Sequence, residues 1–153
     1  MSKSVFIYVT YIRTTAEKLW WALTDPEFNR QYWAGAYQQS EWRKGASWTI
    51  TLADGRTSNM GEILDIEPLR RIVIRWRHEI PADLKAEGYT RCRIEIEPHG
   101  EVMKLSIAHE SETDGPNKLI DAVSRGWPQI LASLKSLLET GAALPPLGSQ
   151  EKT

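Results

Sequence analysis

Few residues in this chain of 153 have side chains suited to catalysis: three histidines, one cysteine and twenty carboxylates set against nineteen Lys and Arg. Imidazole titrates near neutral pH, so His78 and His109 are the first groups to weigh as acid/base or hydrogen-bonding partners of a bound molecule. His78 shares the parity of Ile72, Ile74 and Trp76, and His109 that of Leu105 and Ile107, which puts both rings on a covered sheet face. The competing reading places each at a strand end, in contact with water or a backbone carbonyl. That reading is preferred for His78, and His109 stays open between the two. His99 falls in a turn and Glu110 points away from His109, so no third ligand completes a zinc site. Cys92 is the sole cysteine, which excludes an internal disulfide, and it alternates with Ile94 and Ile96 as a small core residue. There is no Gly-x-Ser-x-Gly elbow and no glycine-rich phosphate loop. No catalytic residue and no cofactor are therefore assigned.

The aromatic residues carry the stronger signal. Seven Trp and five Tyr accompany only two Phe, and both of the abundant types combine a large apolar body with one polar handle. Trp33, Tyr37, Trp48, Met60, Trp76 and Trp127, with His109 and Ile130, are the candidate walls of a cavity for a small apolar or aromatic molecule. The alternative is that the same side chains simply fill the interior.

Positioning these residues requires a particular order of elements. Val5 to Ile12 is apolar in both alternate sets and predicts a strand covered on both faces. Thr14-Thr15-Ala16-Glu17 has the form of a capping box before a helix to about Leu23, and Asp25-Pro26 starts a second short helix. From Ala36 to Glu110 the period is two, broken by Lys44-Gly45, Asp54-Gly55, Pro68, Pro81 and His99-Gly100, which predicts a six-strand antiparallel meander. Arg75, Arg77, Arg91, Arg93, Glu95 and Glu97 mark its wet face, where cross-strand ion pairs are expected and a second copy could also dock. Ile120, Val123, Trp127, Ile130, Leu131, Leu134 and Leu138 then form one helical stripe from about Asn117 to Glu139, stopped by Gly141. Pro128 inside it removes one backbone hydrogen bond, to the carbonyl near Ser124. Residues 1–141 are read as one domain and 142–153 as a flexible tail.

A formal charge of −1 without a basic face argues against nucleic acid as a partner. No apolar stretch is long enough to span a bilayer, and Met1-Ser2-Lys3-Ser4 leads into an alternating strand, so a cytoplasmic location is expected.

The order of strand, two short helices, meander and long terminal helix is the α+β helix-grip arrangement. The run Ile12-Arg13-Thr14-Thr15-Ala16-Glu17-Lys18-Leu19-Trp20 resembles the opening of START-like proteins of the heat-shock-protein ATPase activator homologue branch. Leu23-Thr24-Asp25-Pro26, Gly61 to Pro68, Lys104 to His109 and Gly126-Trp127-Pro128 extend the likeness to nearly the whole chain up to Gly141, with Thr15 standing where the family often has Pro. The resemblance implies a curved antiparallel sheet wrapped around the C-terminal helix, with a cavity between them. It leaves three functions open. These are non-catalytic binding of a small apolar molecule, a protein-interaction domain with a chaperone partner, and a polyketide cyclase or dehydratase-like enzyme. A homodimer is compatible with each.

Overall fold

The computed structural model describes residues 3–145. The expected tail therefore lies outside the described residues from position 146 onward. Its first residues fold back on the last helix, where the Leu144 amide donates to Ser133 Oγ at 3.1 Å.

Seven strands form one antiparallel sheet in the order β1-β7-β6-β5-β4-β3-β2. They are β1 Lys3–Ile12, β2 Tyr37–Ser40, β3 Ser47–Thr51, β4 Thr57–Glu67, β5 Arg71–His78, β6 Thr90–His99 and β7 Val102–Asp114. Strands β2 to β7 are the predicted meander, each of β3 to β7 paired with its predecessor. β1 closes the order by pairing with β7, with Phe6 opposite His109 and Ile12 opposite Met103. Four helices complete the described residues: α1 Ala16–Thr24, α2 Pro26–Tyr32, α3 Ala82–Lys85 and α4 Lys118–Thr140. The short α3, after the cis Ile80–Pro81 peptide, has no counterpart in the sequence reading.

The helix ends follow from local chemistry. Asp25 caps α2 by accepting from the Phe28 amide at 2.9 Å, with Pro26 at the first helical position. Asn117 caps α4 by accepting from Leu119 and Ile120, and Gly141 ends it in the left-handed conformation at φ 87°. The α1 cap is shifted by one residue from the expected box. Thr15 accepts from the Lys18 amide, and the Thr14 hydroxyl is enclosed without a partner. α4 runs continuously across Pro128.

The core lies between the concave sheet face and α4. Ile63, Ile72, Ile74, Ile94, Leu105 and Ile107 from the sheet meet Leu119, Val123, Trp127, Leu131 and Leu134 from the helix, all buried. At roughly 1.5–3 kcal/mol for each large apolar side chain removed from water, this layer is the main stabilising contact of the fold.

The expectation that β1 is covered on both faces is corrected by the structure. Val5, Ile7, Val9 and Tyr11 are 41–66% exposed, whereas Phe6 and Tyr8 pack on the core. α4 lies on the concave side alone, so among the described residues nothing covers the outer set.

Candidate functional site

Trp76, near the end of β5, is the hub of an aromatic cluster. Its ring centroid lies 4.5 Å from that of Trp48 on β3, 5.0 Å from His109 on β7 and 5.7 Å from Trp127 on α4. Trp33, the residue capping α2, meets Trp127 edge-on at 5.6 Å. Offset and tilted contacts of this kind add about 0.5–1.5 kcal/mol per pair beyond area burial.

Two polar networks run through the cluster. In the first, the Trp127 indole N–H donates to His109 Nδ1 at 3.3 Å, and Thr90 Oγ1 lies 2.7 Å from His109 Nε2. Thr90 in turn donates to the Trp76 carbonyl. An indole can only donate, so His109 carries its proton on Nε2 and gives it to Thr90. Both ring nitrogens of this fully enclosed residue are thus used. Burial, and secondarily the nearby His78, lowers its pKa to about 3, so the ring is neutral.

The second network joins Trp76, Asn59 on β4 and His78 at the end of β5. Trp76 Nε1 is 2.9 Å from the Asn59 amide atom that also faces His78 Nδ1 at 2.8 Å. That atom must be the Asn59 oxygen, because two N–H groups cannot meet. The Asn59 NH2 then donates to Ser58 Oγ at 2.6 Å, and His78 carries its proton on Nδ1. Burial holds the His78 pKa at about 4.

A cleft opens beside these networks. Its outer part, about 810 Å³, lies between the end of α2, strands β3 to β5 and the α3 segment, and its apolar walls include Trp33, Ile50, Leu52, Ile80 and Leu84. Its inner part, about 120 Å³, reaches α4 at Val123, Gly126, Trp127 and Ile130. Trp33, Ile50, Asn59 and His78 border both parts, so the two spaces adjoin beside the cluster. Of the lining residues only Arg56 bears a charge, and it is paired with Asp54 at 2.8 Å.

Of the residues singled out from the sequence, Trp33, Trp76, Trp127 and Ile130 border the cleft. Trp48 and His109 stand behind it in the core, Trp48 donating to Gln38 Oε1 at 3.0 Å. Tyr37 lies under the Arg30 guanidinium at 4.3 Å. Met60 is 42% exposed on the outer sheet face, because Asn59, Gly61 and Ile63 take the inward parity of β4. Asn59, Ile50, Leu84 and Gly126 were not anticipated. Parity with Ile63 was a signal for Asn59, whereas Leu84 belongs to a segment with no periodic pattern. His78, expected to meet water or a carbonyl, is bonded to Asn59.

Cys92 is fully buried, and burial pushes its thiol pKa well up, away from thiolate chemistry. Among the described residues no group of three His, Cys, Asp or Glu could hold a metal ion, and no helix is long and apolar enough to cross a membrane.

The curved sheet gripping α4 around an aromatic cleft defines a helix-grip, START-like domain. The family described as "Activator of Hsp90 ATPase homolog 1-like protein" matches residues 13–139, and the chain belongs to that family. Among solved structures it is similar to CalU16 from Micromonospora echinospora, with TM-score 0.71, 19% identity, and coverage of 91% of this chain and 78% of that one. An Hsp90 activator from Plasmodium falciparum matches with TM-score 0.70 and 20% identity over 88% of this chain and 95% of that one. The Aha1 dimer from Colwellia psychrerythraea matches with TM-score 0.71 and 16% identity over 90% of this chain and 98% of that one. These likenesses establish the fold. No curated protein matches the chain.

Proposed function

We propose that this protein binds a small apolar or aromatic molecule in the cleft, without turnover. The observation that carries the reading is the open apolar cleft of about 810 Å³ and the smaller space adjoining it beside Trp33, Trp76 and Trp127. The lining supports binding over chemistry: it holds no carboxylate or thiol, and its histidine is neutral. A cyclase-like enzyme would need His109 at the cleft surface, and both nitrogens of that ring are engaged.

The test is a thermal-shift screen against fatty acids, flavonoids and polyketide-like aromatics, repeated on Gly126→Leu. A Cβ at Gly126 meets nothing within 4 Å, so the larger side chain enters the inner cleft without a backbone clash. A ligand specific to the native state at 100 times its dissociation constant adds about 2.7 kcal/mol of stability. One chemical class is expected to raise the melting temperature of the native chain and not of the variant. A panel without effect overturns the reading.

A second reading concerns protein contact. We infer that the outer face of β1 pairs with a second copy of the chain. Exposed Val5, Ile7, Val9 and Tyr11 support this, as does the description of the Colwellia relative as a dimer. A chaperone partner, suggested by the family description and by the Plasmodium relative, is the competing occupant of that face.

A further inference from the structure

The cleft wall holds one polar atom whose chemistry narrows the ligand class, and the argument for it rests on the binding function proposed above. His78 Nδ1 is turned to the Asn59 oxygen at 2.8 Å, which also accepts from the Trp76 indole at 2.9 Å; the indole is farther from His78 Nδ1, at 3.4 Å, so its proton goes to the amide oxygen. Asn59 is itself locked, because its NH2 donates to Ser58 and the residue is buried. The indole therefore dictates the amide orientation, and the amide dictates the imidazole tautomer. Nε2 is left as a bare lone pair. Among the described residues no protein group donates to Nε2, and the only fully enclosed side-chain polar atom without a partner is Thr14 Oγ1. Nε2 is thus accessible, and the space that His78 borders is the cleft.

We propose that His78 Nε2 is a hydrogen-bond acceptor for the ligand, so the cleft selects flat apolar molecules bearing a hydroxyl or N–H donor, such as phenols, over carboxylates or ethers of the same shape. The surroundings agree. The Arg56 charge is already paired with Asp54, so no free cation awaits an anion. Trp33, Ile50 and Ile80 supply area without competing acceptors. The ring also stays neutral and keeps its lone pair at pH 7, since burial lowers its pKa to about 4.

The experiment is isothermal titration of the full chain with 2-naphthol, 2-methoxynaphthalene and 2-naphthoate. The ether is the more apolar of the first two, so area burial alone favours it. One hydrogen bond to an otherwise unpaired acceptor is expected to reverse that order by roughly tenfold in favour of 2-naphthol. His78→Phe should remove the preference while retaining binding, with its melting temperature recorded to confirm folding. Long-range proton–nitrogen NMR of the native protein should show the His78 proton on Nδ1, independently of any variant. Equal affinity for naphthol and its ether, tighter binding of the ether or the naphthoate, or a proton on Nε2 overturns this inference and leaves the binding function standing. Absence of binding by all three overturns this inference, and the binding function falls only if the thermal-shift panel is also without effect.

Discussion

At the scale of single residues, the two inward histidines play different parts although they lie in one cluster. His109 ties Trp127 to Thr90 and has no free atom, whereas His78 keeps one nitrogen at the cleft. Both are held neutral mainly by burial, with pKa values of about 3 and about 4 against an ordinary value near 6.5. The unfolded chain therefore binds more protons than the native one below about pH 6.5, so stability is full above that pH and falls as pH is lowered towards the native values. The loss expected between pH 7 and pH 5 is on the order of 2 kcal/mol for each ring. The ion-paired carboxylates Asp65, Glu79 and Glu112 have pKa values below the ordinary range, so their contributions fail only at lower pH. Urea midpoints measured from pH 7 to pH 5 should fall steadily, and His109→Gln should flatten the slope by about half. A flat profile in the native chain would show that neither ring is held neutral by the fold.

At the scale of elements, two glycines make opposite predictions. Gly61 on β4 sits opposite Trp76, and a Cβ there runs into the Arg75 carbonyl of β5. The close approach of the two strands needs that hydrogen atom, so Gly61→Ala should cost about 3 kcal/mol and lower the melting temperature sharply. Gly126 lies in the middle of α4 with open space where its Cβ would be. Gly126→Ala should therefore raise stability by about 0.5–1 kcal/mol, through helix propensity and reduced freedom of the unfolded chain. Calorimetry of both variants checks the pair, and a destabilised Gly126→Ala would mean that the helix needs the glycine beside Pro128. The regular elements were legible in the sequence because their boundaries are local: Asp25-Pro26, Asn117 and Gly141 carry their own capping chemistry. Trp33, Trp76, Trp127 and Ile130 were legible as inward residues that border one cleft, because size and parity mark them. Asn59 and Leu84 were not, since a polar strand residue and a four-residue helix become cleft walls only when β3, β5 and α2 are brought beside them.

At the scale of the whole molecule, the placement of the helices decides which sheet face remains uncovered, and that placement is not a local property. β1 reads as doubly covered from its composition, yet the core packs on one face of the sheet and leaves Val5, Ile7, Val9 and Tyr11 at the surface of the other. Four side chains fall short of the roughly 800 Å² per partner that a stable contact buries. A second copy on this face must therefore also meet the neighbouring outer residues of β7 and β6. Along β6 these run Arg91, Arg93, Glu95, Glu97, basic at one end and acidic at the other. On β7 the order is the reverse, with Glu110 opposite Arg91 and Lys104 ion-paired with Glu97 at 3.6 Å, so these charges are balanced within one copy and the apolar residues of β1 must carry the contact. Sedimentation velocity should accordingly show a species of twice the chain mass. Ile7→Glu should shift it to the single chain with little change in melting temperature, because Ile7 is 66% exposed within one copy and contributes little to its core. Raising salt should change the association of the native chain little, because the contact is apolar and the flanking charges are matched within one copy. A native protein that stays monomeric at all concentrations would rule out the second copy and turn the same apolar face over to a different protein partner.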